Sequence, residues 1–548
     1  MRPHLLSLLP ALLGTISAFA QAKSHSVRHG FTVEEAHTAR AFNLARQDPL
    51  LLHAFLARMP KGADLHMHLS GAVYAETLLA DARADLLCVA PGLLSLAKNI
   101  GTTRSIPPQP VCGEGNVPAE TAYQDQHLYN ALVDSFSMRS FVPSAGVSGH
   151  DQFFATFGRF GGIAKSHLGE WLDEVATRAA AQNEQYLEIM HTPPFPNAAR
   201  LATEIDWPRS MPTLLPGVEQ NTLGTTAPEL AQVRDRFLSG GLNEDVAADH
   251  EEFARALAAR NHIEHCGQPD AAPACSVEIR FLFQVLRSNQ PQLVFAQTVL
   301  AFEVAAAEAR TPHPIVVGVN FVQPEDDYLA MAEYTRQMRM LDYLHTMYPQ
   351  VHIALHAGEL APGLVPPSGL RFHIREAVEL GHAERIGHGV DVMYEDQPED
   401  LLRQMAQRHV MVEINLTSND VILGVSLNRH SLPAYLRAEV PTALCTDDEG
   451  VSRIDLTHEY ARAATEFHLG YLDLKNMARA SLEHAFLPGS SLWESPDSFS
   501  RSKFACRAQP LGAEVPTHEC AEFLQANPKA AEQWRLEHRY LIFESTER

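Results

Sequence analysis

The stretch Met59-Pro60-Lys61-Gly62-Ala63-Asp64-Leu65-His66-Met67-His68-Leu69-Ser70-Gly71 places two histidines, separated by one residue, at the end of a short apolar run. Two other stretches have the same form: His356-Ala357-Gly358-Glu359 follows apolar residues 351–355, and Thr446-Asp447-Asp448 follows residues 440–445. Short runs rich in Val, Ile and Leu are typical of fully buried strands. The polar residues are therefore predicted to lie at the C-terminal ends of strands.

Five more apolar runs continue this pattern, at residues 186–190, 277–283, 315–319, 385–387 and 411–414, with helical stretches such as 371–380 and 400–407 between them. Eight strands that alternate with helices predict a (β/α)8 barrel, an α/β fold whose active site forms at the C-terminal ends of the strands. For a chain of 548 residues, we expect an elaborated (β/α)8 TIM barrel with an N-terminal helical segment and loop insertions.

The spacing of the first two histidines follows from strand geometry. Side chains i and i+2 share one face of a strand, so His66 and His68 can bind the same ion. With His356 and a carboxylate of the third stretch they form a donor set that suits zinc, whose open position would hold and activate water. No lysine ends the run Ile315-Val316-Val317-Gly318-Val319-Asn320-Phe321, where a carboxylated lysine bridging two metals would stand. We therefore expect one zinc ion per chain.

Four motifs in order carry a resemblance to a known family. They are Met-Pro-Lys-x-x-x-Leu-His-x-His-Leu-x-Gly, His356-Ala357-Gly358-Glu359, Arg385-Ile386-Gly387-His388-Gly389 and Thr446-Asp447-Asp448. This set resembles that of the adenosine deaminase family in the metal-dependent hydrolase superfamily, and the resemblance covers about residues 59–487. Residues 476–481 and 486–489 are also similar to the closing helix of the secreted branch, which is related to adenosine deaminase growth factors.

The resemblance implies a role for each matching residue. The zinc ligands would be His66, His68, His356 and Asp447. Glu359 would donate a proton to purine N1, His388 would act as the base toward water, and Asp448 would contact N7. Hydrolytic loss of an amine from a purine needs these groups, because water must reach C6 while a proton is placed on N1. The implied reaction converts adenosine and deoxyadenosine to inosine and deoxyinosine and releases ammonia.

Two positions depart from the family pattern. Ser70 stands where the best-known members carry an acid that touches the ribose. Gln323 stands at a glycine whose amide meets purine N3 in the family, and its added side chain is expected to reshape the pocket.

Several residues also have a simpler interpretation. Glu359 can be read as the cap of a following helix, His388 as a buried core histidine, and Asp447-Asp448 as a solvated acidic turn. The stretch Phe153-Phe154-Ala155-Thr156-Phe157 is more often core than a lid over the substrate.

Composition limits the partners. A formal net charge of −23 argues against nucleic acid or an anionic membrane as a partner, and it disfavours nucleoside monophosphates as substrates. The expected partner is a small-molecule purine nucleoside, and the sequence does not decide between a monomer and a homodimer. Two alternatives stay open: deamination of another 6-aminopurine, such as adenine or a methylated adenosine, and a secreted binding protein that resembles a growth factor.

The remaining features concern export and chain organisation. Residues 1–20 have the layout of a signal peptide, with a positive start, a short apolar core and small residues at its end, so export to the periplasm or medium is expected, without a membrane span in the mature form. An N-terminal helical segment, 21–58, is predicted to break near Pro49. The barrel would span 59–487, with insertions at about 86–141 and 212–273, and a C-terminal extension would span 488–548. Three close cysteine pairs, Cys88 with Cys112, Cys266 with Cys275 and Cys506 with Cys520, suggest disulfides, although six cysteines permit 15 pairings.

Overall fold

The computed structural model describes residues 32–207 and 226–547. Its central sheet consists, in order, of β1 (Gly62–His68), β2 (Glu184–His191), β3 (Glu278–Leu286), β4 (Val316–Val322), β5 (His352–Ala357), β6 (Arg385–His388), β7 (Met411–Ile414) and β8 (Thr442–Leu444). All neighbouring pairs are parallel. Parallel sheets are covered on both faces, which explains why the strands are nearly continuous apolar runs.

The sheet closes between its first strand and the residues that follow its last. The N–H of Asp447 donates to the carbonyl of His66 (2.8 Å), and the N–H of His68 donates to the carbonyl of Asp447 (3.3 Å). Beside this bridge, the carboxylate of Asp64 accepts hydrogen bonds from the N–H and the hydroxyl of Thr446, at 3.1 and 2.6 Å. The predicted (β/α)8 barrel is confirmed.

Helices surround the barrel and fill its connections. In chain order they are α1 (Val33–Ala45), α2 (Pro49–Arg58), α3 (Leu69–Ala72), α4 (Ala75–Ala84), α5 (Gln126–Ser135), α6 (Gly149–Arg159), α7 (Leu168–Ala181), α8 (Pro196–Ala202), α9 (Ala227–Phe237), α10 (Asn243–Ile263), α11 (Pro291–Glu308), α12 (Tyr328–Met347), α13 (His373–Glu379), α14 (Pro398–Arg408), α15 (Leu416–Leu423), α16 (Leu432–Arg437), α17 (Glu449–Ser452), α18 (Leu456–Glu466), α19 (Tyr471–Glu483), α20 (His518–Ala526) and α21 (Pro528–Thr546). None of the helices in the described ranges is long and apolar enough to cross a membrane.

The two ends of the described chain meet at the N-terminal ends of the strands. The hydroxyl of Tyr540 in α21 donates to the carbonyl of Pro60 (2.7 Å), and Arg539 donates to the carbonyl of Glu184 (3.2 Å). Helices α1 and α2 also pack on α21 and α19. The break predicted near Pro49 lies between α1 and α2, where the Asp48 carboxylate caps the N–H groups of the new helix. These contacts cover the N-terminal ends of the strands, so a functional site is expected at their C-terminal ends.

The insertions carry small elements of their own. Residues 88–90, 95–97 and 117–118 form a three-stranded antiparallel sheet, and residues 493–495 and 498–502 form a hairpin in the C-terminal extension. Of the second predicted insertion, residues 212–225 lie outside the described residues, as does the predicted signal peptide at 1–20. The domain boundaries stay predictions.

All three predicted disulfides are formed: Cys88–Cys112, Cys266–Cys275 and Cys506–Cys520. The seventh cysteine, Cys445, is buried and free.

Candidate metal and catalytic site

Five polar side chains, from three strands and from the residues that follow the last strand, meet at the C-terminal end of the barrel. His66 and His68 are the fifth and seventh residues of β1, His356 lies in β5, and His388 ends β6. Asp447 follows β8 and is held beside β1 by the backbone hydrogen bonds that close the barrel. The sequence therefore predicted both the end of the barrel and the strands that bring these groups together.

The ligand atoms lie close enough to share one ion. The Nε2 atom of His356 is 3.0 Å from that of His66 and 3.2 Å from that of His68. An oxygen of Asp447 lies 3.6 and 3.3 Å from the same two Nε2 atoms of His66 and His68. One ligand atom from each of His66, His356, His388 and Asp447 falls within 4.8 Å of the others, and His68, Asp447 and Asp448 form a second such group.

Hydrogen bonds to the other ring nitrogens test whether a metal fits. The Nδ1 atoms of the three histidines face acceptor oxygens: His66 faces Glu413 (2.6 Å), His68 faces Gln284 (2.8 Å) and His356 faces Asn320 (2.8 Å). In each neutral ring the proton therefore lies on Nδ1, and the Nε2 lone pair is free to bind a ligand. Nε2 lone pairs about 3 Å apart repel one another unless a proton or a metal cation lies between them. A divalent ion with imidazole and carboxylate ligands fits this arrangement, including the outer oxygens that orient the rings.

The electrostatic surroundings of His356 and His68 shift their pKa values in opposite directions. Burial and the neighbouring imidazoles hold the pKa of His356 well below its ordinary value, so the ring is neutral at pH 7. Burial acts in the same direction on His68, but the charges of Asp448 and Asp447 outweigh it and raise the pKa of His68 to about 9. A metal ion would displace that proton, because it occupies the same lone pair.

The backbone at the site is unusual in a way that residue patterns did not reveal. His388 and Asp447 have φ angles of 69° and 62°, and Gly358 has a φ of 74°. The left-handed region is costly for residues with a side chain, and such strain is held in place by the surrounding structure. For His388 the restraint is its Nδ1 hydrogen bond to Asn419 (3.0 Å).

Glu359 and His388 face each other beside the histidine cluster. The Nε2 atom of His388 is 3.7 Å from a carboxyl oxygen of Glu359. Burial, and next to it the negative charge of Asp447, raises the pKa of Glu359 well above its usual range. Burial lowers the pKa of His388. Together these environments favour a protonated acid beside a neutral base.

The helix-cap interpretation of Glu359 is wrong. Residues 358–361 are in neither helix nor strand, and the next α-helix, α13, begins only at His373. The backbone turns sharply at Gly358 and continues as a loop. Glu359 therefore does not cap the N-terminus of a helix.

The predicted substrate-binding residues lie in different settings. Asp448 is buried against Gly71, since a Cβ on that glycine would be 1.5 Å from its Oδ1 atom, and this oxygen has no hydrogen-bond partner within the described ranges. Ser70 is half-buried in α3, directly after the histidines of β1. Gln323 has a φ of 86°, and its side-chain oxygen accepts the N–H of Ser288 (3.0 Å). The backbone conformation at this position is thus one that favours glycine.

The stretch Phe153–Phe157 belongs to α6. Phe153 is buried in a second apolar cluster with Leu132 and Phe136, whereas Phe154 and Phe157 are half-buried. The core interpretation therefore holds for Phe153.

The outer residues of the site were not predicted. They are Glu413, Gln284, Asn320, Ser418 and Asn419. A single polar residue inside an apolar strand run, such as Glu413 in β7, could have indicated these outer residues. A buried polar group needs a hydrogen-bond partner, so such a residue is expected to contact another polar group of the site.

A (β/α)8 barrel with a histidine–carboxylate cluster at the C-terminal ends of its strands defines the class of metal-dependent barrel hydrolases. Residues 254–492 match the family model described as adenosine deaminase. Adenosine deaminases of Escherichia coli strains SE11 and O1:K1 are each 38% identical over 137 residues, which is 25% of this chain and 38% of the relative's length.

Two solved structures are also similar to parts of this chain. Adenine deaminase from Arthrobacter aurescens is 16% identical, with a TM-score of 0.45 and coverage of 78% of this chain and 94% of that one. The Arabidopsis N6-mAMP deaminase MAPDA is 19% identical, with a TM-score of 0.46 and coverage of 79% and 96%.

Over residues 254–492 the chain is similar to the adenosine deaminase family. The match spans little more than a third of the length of the curated relatives. The likeness to the secreted, growth-factor-related branch stays a prediction.

Proposed function

We propose that this protein is a zinc-dependent hydrolase that deaminates adenosine and deoxyadenosine to inosine and deoxyinosine. One observation carries the proposal: three imidazole Nε2 atoms and the Asp447 carboxylate converge beside a facing pair of Glu359 and His388. A metal group alone would suit many hydrolases. The added buried acid and neutral base suit attack of water on a ring carbon next to a ring nitrogen.

The metal would be held by His66, His68, His356 and Asp447. A bound zinc ion would lower the pKa of a water molecule at its open position and so ready it for attack. Glu413, Gln284 and Asn320 orient the three rings, and the Ser418 hydroxyl donates to Asp447 (2.7 Å). The chain itself therefore prepares the ligands before any ion binds.

The protons can be followed through the chain's own groups. Glu359 gives its proton to N1, which makes C6 electrophilic, and the water oxygen forms a bond to C6 as His388 Nε2 takes one water proton. The C6–N6 bond then breaks and His388 passes its proton to the leaving amine, which departs as ammonia. The second water proton returns to Glu359. N1 keeps the proton it received, so the product is the 6-oxopurine.

The buried carboxyl of Asp448 is placed to bind the ring. Burial and the nearby charge of Asp447 raise its pKa well above the usual range. A protonated Asp448 can donate a hydrogen bond to an acceptor nitrogen such as N7. Its Oδ1 has no partner among the described residues, which supports a role in binding a ligand.

A second candidate substrate class is another 6-aminopurine, such as adenine or a methylated adenosine. Two residues support this second substrate class. Ser70 stands where an acid would contact a ribose, and Gln323 places a side chain at a position with a φ of 86°. The resemblance puts these two positions beside the ribose and N3, so we expect them to affect substrate choice more than the reaction at C6.

Ultraviolet absorbance on purified protein of known zinc content tests reaction and substrate together. The substrates are adenosine, deoxyadenosine, adenine, N6-methyladenosine and adenosine monophosphate. We expect the spectrum of adenosine and deoxyadenosine to shift as the 6-oxopurine forms. Binding of all five without any spectral change would overturn the proposal in favour of a purine-binding protein.

We also propose that the protein works outside the cytoplasm. Its three disulfides support this, because such bonds persist in oxidising compartments. Intact-mass analysis of protein recovered from periplasm or medium, with and without reductant, is the test. The expected mature chain begins near Gln21 and gains six protons on reduction; seven free thiols before reduction would contradict the proposal.

A further inference from the structure

Glu325 lies directly behind the candidate acid, in the loop that follows β4. Its carboxylate is fully buried, and its two oxygens accept the N–H of Gly358 (3.1 Å) and the N–H of Glu359 (2.7 Å). The two successive N–H groups converge because Gly358 has a φ of 74°, which forms an anion-binding turn. In this protein the anion is a side chain of the chain itself.

The Glu325 carboxylate is fixed by two basic residues. His373 Nδ1 is 2.6 Å from Oε1, and Arg287 Nη1 is 3.9 Å from the same oxygen. Tyr334 stacks on His373 at 3.9 Å between ring centroids, and its hydroxyl donates to the carbonyl of His373. The carboxylate thus has little freedom to move.

Arg287 connects this network to the metal site. Its Nη2 atom donates to the carbonyl of His356 (2.7 Å) and to that of Phe321 (2.9 Å). The segment from His356 to Glu359 is therefore held at one end by Arg287 and at the other by Glu325. These contacts set the distance between the candidate ligand and the candidate acid.

The charges around the carboxyl groups of Glu325 and Glu359 are consistent with an ionised Glu325 that accepts hydrogen bonds from the backbone of Glu359. Burial alone would raise the pKa of Glu325, but the charges of His373 and Arg287 and the donated N–H bonds lower it, so Glu325 stays ionised. The charged and titratable groups around Glu325 are His373, Arg287, Glu359, His388, Asp391, Glu395 and Tyr334. Those around Glu359 are Asp447, Asp448, Glu325, Arg287, His150 and His388.

We propose that Glu325 is a positioning residue for the acid: its carboxylate holds the backbone of Gly358 and Glu359 so that the Glu359 side chain faces the reacting ring. This inference rests on the proposed function, because it needs Glu359 to deliver the proton. Glu325 itself acts through the backbone of its neighbour.

A double-mutant cycle tests the proposal. Glu325→Gln keeps the shape of the side chain but turns an NH2 group toward one of the two backbone N–H donors, which should displace the backbone of Glu359. A displacement of the acid by about 1 Å can cost about 10²-fold in rate. We expect kcat to fall by about 10- to 100-fold in otherwise wild-type enzyme. In a Glu359→Gln background the same substitution should change kcat by less than about twofold, because residues that act as one unit are not additive.

Glu395→Gln is the matched control. Glu395 is also a buried carboxyl group, and one of its oxygens accepts two backbone N–H groups, those of Ile374 (2.6 Å) and Arg375 (3.4 Å). It does not hold Gly358 or Glu359. We expect kcat of this variant to stay within about threefold of wild type, well inside the loss expected from a misplaced acid.

The outcomes separate this inference from the proposed function. If Glu359→Gln alone keeps wild-type turnover, the acid assignment fails and the positioning role fails with it. If Glu359→Gln lowers kcat, and Glu325→Gln lowers kcat by the same factor in wild-type and Glu359→Gln enzyme, the positioning role alone is overturned. Loss of zinc in Glu325→Gln, or an equal kcat loss in Glu395→Gln, would also overturn it. Should Glu325→Gln not fold, Glu325→Asp, which keeps the charge but withdraws the oxygens, enters the same cycle with the same criteria.

Discussion

At the scale of single residues, Asn320 shows how the site depends on side chains that would not touch the ion. Its side-chain oxygen faces His356 Nδ1 (2.8 Å) and also accepts the His356 N–H (3.1 Å). One amide therefore sets both the tautomer and the orientation of the ring. Nothing in the sequence around Asn320 distinguishes it from any polar residue in a strand.

This arrangement predicts a graded loss of metal. His356→Ala should remove most of the zinc together with activity, whereas Asn320→Ala should keep the ligands but weaken metal affinity by about 10- to 100-fold. Metal analysis after dialysis against chelators of known affinity measures both. Full zinc retention in His356→Ala, or two metals per chain in the wild type, would contradict the assignment.

The acid and the base predict a loss of rate without loss of metal. Glu359→Gln cannot deliver a proton to N1, and general acid catalysis is worth about 10²–10⁴ in rate, so kcat should fall by that factor. His388→Ala should be at least as damaging, because the water proton then has no acceptor. Steady-state kinetics with zinc analysis is the measurement. Deamination by Glu359→Gln within about threefold of wild type would show that Glu359 is not the acid.

The sequence predicted which residues converge but not how their backbones allow it. Histidine spacing in β1 follows from strand alternation, and the acid three residues after His356 could be named from its motif. The left-handed φ angles at His388 and Asp447 could not be predicted, because no local pattern marks a non-glycine residue in that conformation. The tertiary hydrogen bonds that hold them come from distant parts of the chain.

At the scale of elements, strand positions were predicted better than strand ends. The run at 411–414 coincides with β7, while the run at 63–65 became β1, Gly62–His68, which includes both histidines. Apolar content marks the buried middle of a strand. Pairing with neighbours decides where the strand stops, and a single sequence does not show those partners.

Helix α10 contains a buried carboxyl group, Asp249, whose titration predicts an effect of pH on stability. Asp249 is fully buried, and neither carboxyl oxygen has a hydrogen-bond partner in the described ranges. Burial, aided by the charges of Asp245 and Glu252, raises the pKa of Asp249 from 3.8 to about 8. The folded protein therefore binds this proton more tightly than the unfolded chain, and stability is lost as pH rises from about 4 to about 8.

Asp249→Asn should remove that dependence. We expect it to be more stable than wild type by about 1–4 kcal/mol at pH 8 and nearly equal at pH 4, measured by urea unfolding at both values. The matched control is Asp245→Asn on the same helix, which should destabilise because Asp245 accepts the N–H groups of Asn197 and Ala198. A variant Asp249→Asn that is less stable than wild type at pH 8 would show that the carboxylate has an unseen partner.

At the scale of the whole molecule, the formal charge of −23 bears on substrate choice. A negative field slows the approach of an anionic ligand, so kcat/KM for adenosine and deoxyadenosine should exceed that for adenosine monophosphate. The difference should shrink as salt is added, because salt screens the field. A monophosphate preferred at low salt would mean that a local basic pocket outweighs the overall charge.

The barrel closes through contacts between its first and last strands, and this has a consequence for biosynthesis. Asp64 and Thr446 are hydrogen-bonded although they are 382 positions apart. During translation at about 5–20 residues per second, His66 is made roughly 20–80 s before Asp447. Only a chain of at least 447 residues contains all four proposed ligands. We therefore expect the metal site to be completed late in synthesis or after it, so that the compartment in which the chain finishes folding decides which ions compete for the site.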